Sequence, residues 1–330
     1  MDHFFLGVNP KMKPFKTHRQ QLTILRGRGL RINNGSKALR ILENESYYAV
    51  INGYKDHFLL KGPTGKNISP ETYITNATFD EIYELYSFDR DLRNAILEYL
   101  LKFESNIKSK IAYRFSEKYK EPHAYLILKN YTRDSAKLKD VLSLISTISN
   151  TISKNGKKKG SIAHYLDKHD GVPLWVLVNY LTIGNMQYFY SCLDNSLQNT
   201  IAKDFSISYK RDYGNVIHYT PDMLESTLKT VTFFRNVCAH EERLYNFKLH
   251  KPAPSAGIAS ILSIHTHLLD KGNIFTVLAF LKLVLPKKEH QKMIRNITKL
   301  IDIYSPKFSS INFNDILLEM GLVANWNHLI

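Results

Sequence analysis

Cysteine is nearly absent. Of 330 residues only Cys192 and Cys238 are thiols, too few for a disulfide framework, and they read as buried thiols of a cytoplasmic chain. Long apolar runs are missing too. The longest, "PLWVLVNYLTIG" and "IFTVLAFLKLVL", fall short of the roughly 20 residues a bilayer span needs and read as core helices. The opening "MDHFFLGVNPKMKPFKTH" lacks a basic region followed by a long apolar core, so no signal peptide is expected. The glycine-containing stretches "RGRGL" and "KGPTGKN" lack Walker spacing and a preceding strand, so neither reads as a nucleotide loop. His164 and His169, beside Asp167 and Asp170, have no i, i+4 histidine pair and no cysteine partner. No metal and no cofactor is implied. Acidic residues are scarce: 30 Asp plus Glu stand against 45 Lys plus Arg, a net +15. That excess favours a polyanionic partner, nucleic acid or an anionic membrane surface, over a merely basic inert exterior.

What is present is helical pattern. "THRQQLTILRGRG" spaces Leu22 and Leu25 on one face and closes on Gly27 and Gly29. "SKALRILENESYYAVINGY" turns Leu39, Leu42, Tyr47 and Val50 inward, with Ser36 as N-cap. Residues 59–76 are rich in Gly, Pro and Asn and read as a loop. Thr78 with Glu81 makes a capping box. It opens a periodic run through Ile111 that is either one very long helix or two in tandem. Residues 135–154 form another amphipathic helix, ending in a loop that carries Lys157, Lys158 and Lys159. Those lysines are either solvated or phosphate contacts. Pro173 opens an apolar helix interrupted near Gly184. Thr220 and Pro221 start a helix running towards Asn246, and the tail shows three more helical patterns, around Ile261, Leu281 and Ile316. No repeat and no sustained β alternation occurs. The expected fold is therefore all-α: an N-terminal helical extension over 1–75, a core over 76–250 and C-terminal helices over 251–330. Tyr47, Tyr48 and Tyr54 read as core in preference to base-stacking rings.

The chemistry concentrates in "FFRNVCAHEERLYN", residues 233–246. Winding this helix at about 100° per residue places Met223, Leu224, Leu228, Val231, Phe234, Val237 and Cys238 on one broad apolar arc. Arg235 falls at the edge of that arc, between Leu224 and Leu228. A guanidinium there needs a partner: either Glu104 or Glu98 of the long helix, or a bound phosphate, which its planar fork suits. Asn236 and His240 share the polar face with Arg243. Arg235 and His240 lie about 140° apart. One straight helix therefore cannot aim both at one atom. The chain bends after Ala239, or two copies of the helix build the site across a two-fold axis, or both. In kind, the set suffices to cleave RNA without a metal. A histidine can carry protons to and from the 2′-hydroxyl and the 5′-oxygen, an arginine can hold the non-bridging oxygens, and an asparagine can orient either.

"RNVCAH" resembles the Arg-Asn-x-x-x-His signature of the HEPN superfamily. The wider block is similar to that of the Abi-like abortive-infection proteins of the AbiD/AbiF type, with Arg243, Leu244 and Asn246 also in place. "KPFKTHRQQLTILRGRGLRI", the run 77–119 and "PLWVLVNYLTIGNMQYFY" extend the resemblance over roughly residues 13–250. It implies a HEPN-like helical bundle that dimerises through the motif-bearing helices. The implied activity is that of a metal-independent endoribonuclease toxin in antiphage defence. Arg235 and His240 are then the central catalytic pair, with Asn236 in support. RNA contacts fall to Arg243, Tyr245 and Lys157–Lys159. The AbiF-like branch implies a small noncoding RNA as neutralising partner. Some HEPN toxins are silenced at a tyrosine two residues beyond the histidine; here that position is Glu242, which leaves that control without its residue. The alternative from another class is a non-catalytic RNA-binding helical module.

Overall fold

A computed structural model describes residues 14–330, and within them the backbone is helix joined by turns. The expectation of no signal peptide concerns residues that lie largely outside the described ones. Among the described residues, extended pairing is limited to three isolated bridges, Arg31–Thr78, Leu59–Tyr73 and Lys61–Asn67. The fold is all-α, as the patterning predicts. The chain divides into two units: one runs through Phe88 and adds Tyr304–Asn312, the other comprises Asp89–Ile303 and Phe313–Ile330.

In the first unit, α1 (His18–Gly27) starts at Thr17, whose hydroxyl accepts from the Gln20 N–H while the Gln20 side chain accepts from the Thr17 N–H. Leu22 and Leu25 are buried. α2 (Gly35–Glu45) is capped by Asn34, not by Ser36. Asn34 holds the extended backbone a cap requires and accepts from the Lys37 N–H at 2.9 Å. Of the three early tyrosines, Tyr54 is core, Tyr47 is half-buried and Tyr48 is exposed. The 59–76 segment is irregular, and its Glu71 accepts from Arg28 and Lys55, each at 2.7 Å. α3 (Phe79–Lys118) is one unbroken helix, since its 40 residues contain neither Gly nor Pro. Its capping box forms: Glu81 N–H donates to Thr78 Oγ1 at 3.1 Å, and Thr78 N–H donates back to the Glu81 carboxylate at 3.2 Å. Glu81 also accepts from the Ser309 and Ser310 N–H groups, both at 2.7 Å. Burial pushes this carboxyl up, but the hydrogen bonds from Ser310, Ser309 and Thr78 outweigh it and hold it below the usual glutamate range.

In the second unit, the rest of α3 buries Leu92, Ile96, Tyr99, Phe103, Ile107 and Ile111. α4 (Leu138–Gly156) follows a short turn and leads through the lysine loop to α5 (Ser161–Lys168). The helix opened by Pro173 breaks at Leu181–Thr182, ahead of Gly184, giving α6 (Leu174–Leu177) and α7 (Ile183–Cys192). Thr182 and Asn185 form a capping box that restarts the helix, so Gly184 sits inside its first turn. α8 (Asn195–Tyr213) ends on Gly214, whose φ of 83° suits a residue without a Cβ. α9 (Pro221–Ala239) starts as predicted, with Thr220 accepting from the Met223 N–H at 3.3 Å.

The tail adds α10 (Ala256–Leu262), α11 (Thr266–Leu269), α12 (Ile274–Val284), α13 (Lys287–Tyr304), α14 (Phe313–Glu319) and α15 (Trp326–Leu329). Three of these match the expected patterns, and α13 is the main addition. Its apolar stripe includes buried Met293, Ile297 and Tyr304, and lysine, arginine and glutamine fill its other face. α12 is buried nearly all round and packs with α8, α9 and α11. Being apolar on every side, it is a core helix. Among the described residues no helix is long and apolar enough to cross a membrane.

Candidate active site

α9 packs against α7, α8 and α12, which buries its apolar arc and leaves its C-terminal turn to carry the motif. The helix ends where the motif does. His240 is the C-cap, and its N–H still donates to Asn236 O at 2.9 Å. Glu241 then turns left-handed, with φ 57°. Glu242 N–H donates to Val237 O at 3.0 Å and Glu241 N–H to Cys238 O at 3.4 Å. These two bonds are the Schellman pattern. A non-glycine residue in that conformation is strained by about 1 kcal/mol, so the turn must be held from outside.

Asp89 and Arg93 of α3 hold it. Arg93 Nη1 donates to Asp89 Oδ2 at 2.6 Å and to Glu242 O at 3.3 Å. Asp89 accepts the Leu244 N–H at 3.0 Å and the Tyr245 N–H at 2.6 Å. The side chains of Asp89 and Arg93 are 0% and 6% exposed. A buried carboxylate thus collects one cation and two peptide donors, and the chain after His240 is folded back onto α3. Sequence reasoning missed this pair. The signal was an acid and a base four apart, set among the apolar positions Phe88, Leu92 and Ile96.

Arg235 takes the ion-pair partner that its edge position called for. Its Nε donates to Glu104 Oε2 at 3.1 Å, and Lys108 Nζ contacts the other oxygen at 2.8 Å. Glu98 pairs with Lys102 instead. Glu104 is 8% exposed and Arg235 25%, so the carboxylate is buried while the guanidinium reaches the surface. Among the described residues its two terminal nitrogens have no protein hydrogen bond, which leaves donors for a phosphate.

Asn236 and His240 are exposed. The end of α9 does not swing His240 round to Arg235. The α-helical bond from His240 N–H to Asn236 O keeps it in helical register, so the two remain about 140° apart around the axis. The reversal comes one residue later. His240 and Asn236 instead share a face with Lys229 and Phe233, and Phe233 is 55% exposed.

Of the other expected contacts, Lys157, Lys158 and Lys159 lie exposed in the turn after α4, and Arg243 is half-buried with its guanidinium 5.9 Å from the Tyr245 ring. Tyr245 itself corrects its assignment. It is fully buried, because Asp89 draws its backbone inward, and it presents no ring face to RNA. Cys238, inside the motif, is buried, and burial pushes its thiol up to about 12, so it supplies no thiolate nucleophile. His164 and His169 lie 5.5 Å apart by ring centroid, in contact with Tyr165. Among the described residues no group of three His, Cys, Asp or Glu is arranged to hold a metal ion.

Fold and site define an all-α protein that carries an Arg-Asn-x-x-x-His set at the end of a core-packed helix. Residues 40–246 match the family described as Abi-like protein, and the chain belongs to that family. The match ends on Asn246, the last residue of the block built around α9. Membership places the chain in abortive-infection defence. Neither the curated proteins nor the solved structures contain a match to it.

Proposed function

We propose that the chain is a metal-independent endoribonuclease toxin of the HEPN superfamily, of the AbiD/AbiF type. It acts in the cytoplasm and is neutralised by a small noncoding RNA. The observation that carries the reading is the Arg235–Asn236–His240 set at the solvent-facing end of α9, in a chain with a net charge of +15. His240 moves protons: it takes one from the ribose 2′-hydroxyl and returns one to the departing 5′-oxygen. The 2′-oxygen bonds to phosphorus as the bond to the 5′-oxygen breaks, leaving a cyclic phosphate and a 5′-hydroxyl. Arg235, gripped through Nε by Glu104, offers its terminal nitrogens to the non-bridging oxygens as charge gathers there. Asn236 orients the histidine or the phosphate.

The 140° separation favours a site completed by two copies. A two-fold axis set between the Arg235 edge and the His240 face, over exposed Ala239, lets the histidine of one copy serve the arginine of the other. Exposed Phe233 is the apolar anchor of that interface. The HEPN-like core in this reading is 76–250. The test is RNA cleavage by the purified chain in excess chelator. His240→Ala should abolish it in a folded protein, and Phe233→Asp should abolish it while giving a monomer by light scattering. Undiminished cleavage by His240→Ala sinks the proposal.

A second reading, a non-catalytic RNA-binding module, is favoured by the exposed lysine loop and by the engagement of Arg235 with a carboxylate. In that case His240→Ala leaves RNA binding and growth arrest intact. Replacing Lys157, Lys158 and Lys159 by Ala then lowers affinity and reduces the slope of log K against log salt by about 1 for each phosphate that is no longer neutralised.

A further inference from the structure

A cleft of about 600 Å³ lies within the second unit, formed by the last turns of α3, the 119–125 segment and residues 170–175. None of the α9 residues lines it. Its chemistry runs against that of the whole chain. On a protein with a net charge of +15, this cleft is lined by Glu117, Glu121 and Asp170, with Lys120 the sole lysine or arginine. Arg114 neutralises Glu117 at 2.7 Å. Glu121 and Asp170 have no ion-pair partner among the described residues. A polyanion is therefore the wrong occupant.

The hydrogen-bonding groups agree. Tyr125 Oη donates its single proton to Val172 O at 2.6 Å. In its 2.8 Å contact with His123 Nδ1 the tyrosine must therefore accept, so Nδ1 carries a proton. Gly171 makes room for that ring: a Cβ there would lie 2.7 Å from Nε2. Pro122 and Pro173, also in the lining, have no N–H to offer. The cleft offers the carboxylates of Glu121 and Asp170 as acceptors, beside the donors of Ser116, Lys120 and Trp175. It also holds two large rings open to solvent, Tyr113 at 62% and Trp175 at 59% exposure; the Arg114 guanidinium already lies 5.3 Å from the Tyr113 ring centroid, which leaves Trp175 as the ring for a ligand. Exposed aromatic faces beside unpaired carboxylates attract a cation that is weakly hydrated and carries N–H donors.

We propose that this cleft binds a small organic cation, a guanidinium or alkylammonium group that rests against Trp175 and is neutralised by Glu121 and Asp170. The inference goes beyond the ribonuclease reading and does not depend on it. The same chemistry can arrive free, as a polyamine, or carried on a polypeptide as an arginine side chain.

The full chain reports on it directly, because Trp326, the other tryptophan, is only 7% exposed and Trp175 dominates any ligand-induced change in emission. The chain is titrated with agmatine, with spermidine, with acetyl-Gly-Arg-Gly-amide and with adenosine 5′-monophosphate. The expected result is a saturable change with the cations that disappears in Trp175→Phe. The nucleotide should give none. The double variant Glu121→Gln, Asp170→Asn, melting at the same temperature as the parent, should bind at least ten-fold more weakly. Tighter binding of the peptide than of agmatine and spermidine assigns the ligand to a polypeptide, and the reverse order to a free polyamine; either supports the site. No saturable response, equal binding by the double variant, or tighter binding of the nucleotide overturns it.

Discussion

Removing one carboxylate, by Asp89→Ala, should dismantle the segment that follows the motif helix. The magnitude follows from what Asp89 holds. Its partner Arg93 is 6% exposed, and breaking one side of a buried ion pair leaves an uncompensated charge worth about 3–5 kcal/mol. The Leu244 and Tyr245 N–H groups, at 3.0 and 2.6 Å, lose their acceptor, at about 1–3 kcal/mol each. These losses share one site and do not add: water entering for Arg93 also reaches the two amides. The net expectation is about 4–6 kcal/mol, against the roughly 5–15 kcal/mol that holds a folded chain. Asp89→Asn keeps an oxygen for the amides but sets a neutral amide beside Arg93, and should lose about 2–3 kcal/mol. Urea unfolding followed by circular dichroism measures the total. Amide exchange at Leu244 and Tyr245 locates it, since a local loss of about 4 kcal/mol raises exchange about a thousand-fold. If Asp89→Ala loses less than about 1 kcal/mol and leaves exchange at 244–245 unchanged, the clamp is not what holds this turn.

Three further outcomes are expected. His290 is buried, its Nε2 lies 3.1 Å from Leu278 O, and burial pushes it down to about 4 from the usual 6.5. Above pH 6.5 both states are neutral there. Between 6.5 and 4 the unfolded chain takes a proton that the folded one refuses, so stability falls by up to about 3 kcal/mol. Urea unfolding at pH 7 and pH 4.5 should show that fall reduced in His290→Gln, and equal falls in parent and variant refute it. Cys192 and Cys238 are buried, with thiols pushed up to about 11 and about 12 by burial. Neither should react with a thiol reagent at pH 8 before urea unfolds the chain. Glu241→Gly relieves a left-handed glutamate and should raise stability by about 0.5–1 kcal/mol, read as a higher urea midpoint.

Much of the helical order was legible because its signals are local. Thr78 with Glu81, Thr220 with Pro221, and the Leu22–Leu25 spacing act within one helical turn, and all three form as read. Where two local signals compete, spacing does not choose. Asn34 won the cap over Ser36 by holding the extended backbone, and Thr182 with Asn185 placed the helix break ahead of Gly184. α13 went unread although its apolar positions keep helical spacing and its charged residues fall on the opposite face.

By itself the sequence determined the all-α class, the strong positive charge, the start of α9 and the placement of Arg235 at the edge of an apolar arc. These depend on residue type and on neighbours three or four positions away. Only the tertiary structure decided which acid meets Arg235, because Glu104 and Glu98 lie on one helix and packing brings the one 131 residues away into contact. It also decided that the chain reverses after His240, at Glu241, and that Tyr245 is interior. Both follow from a carboxylate about 155 residues distant. A buried charge selects its partners by where the core places them, and no spacing along the chain encodes that.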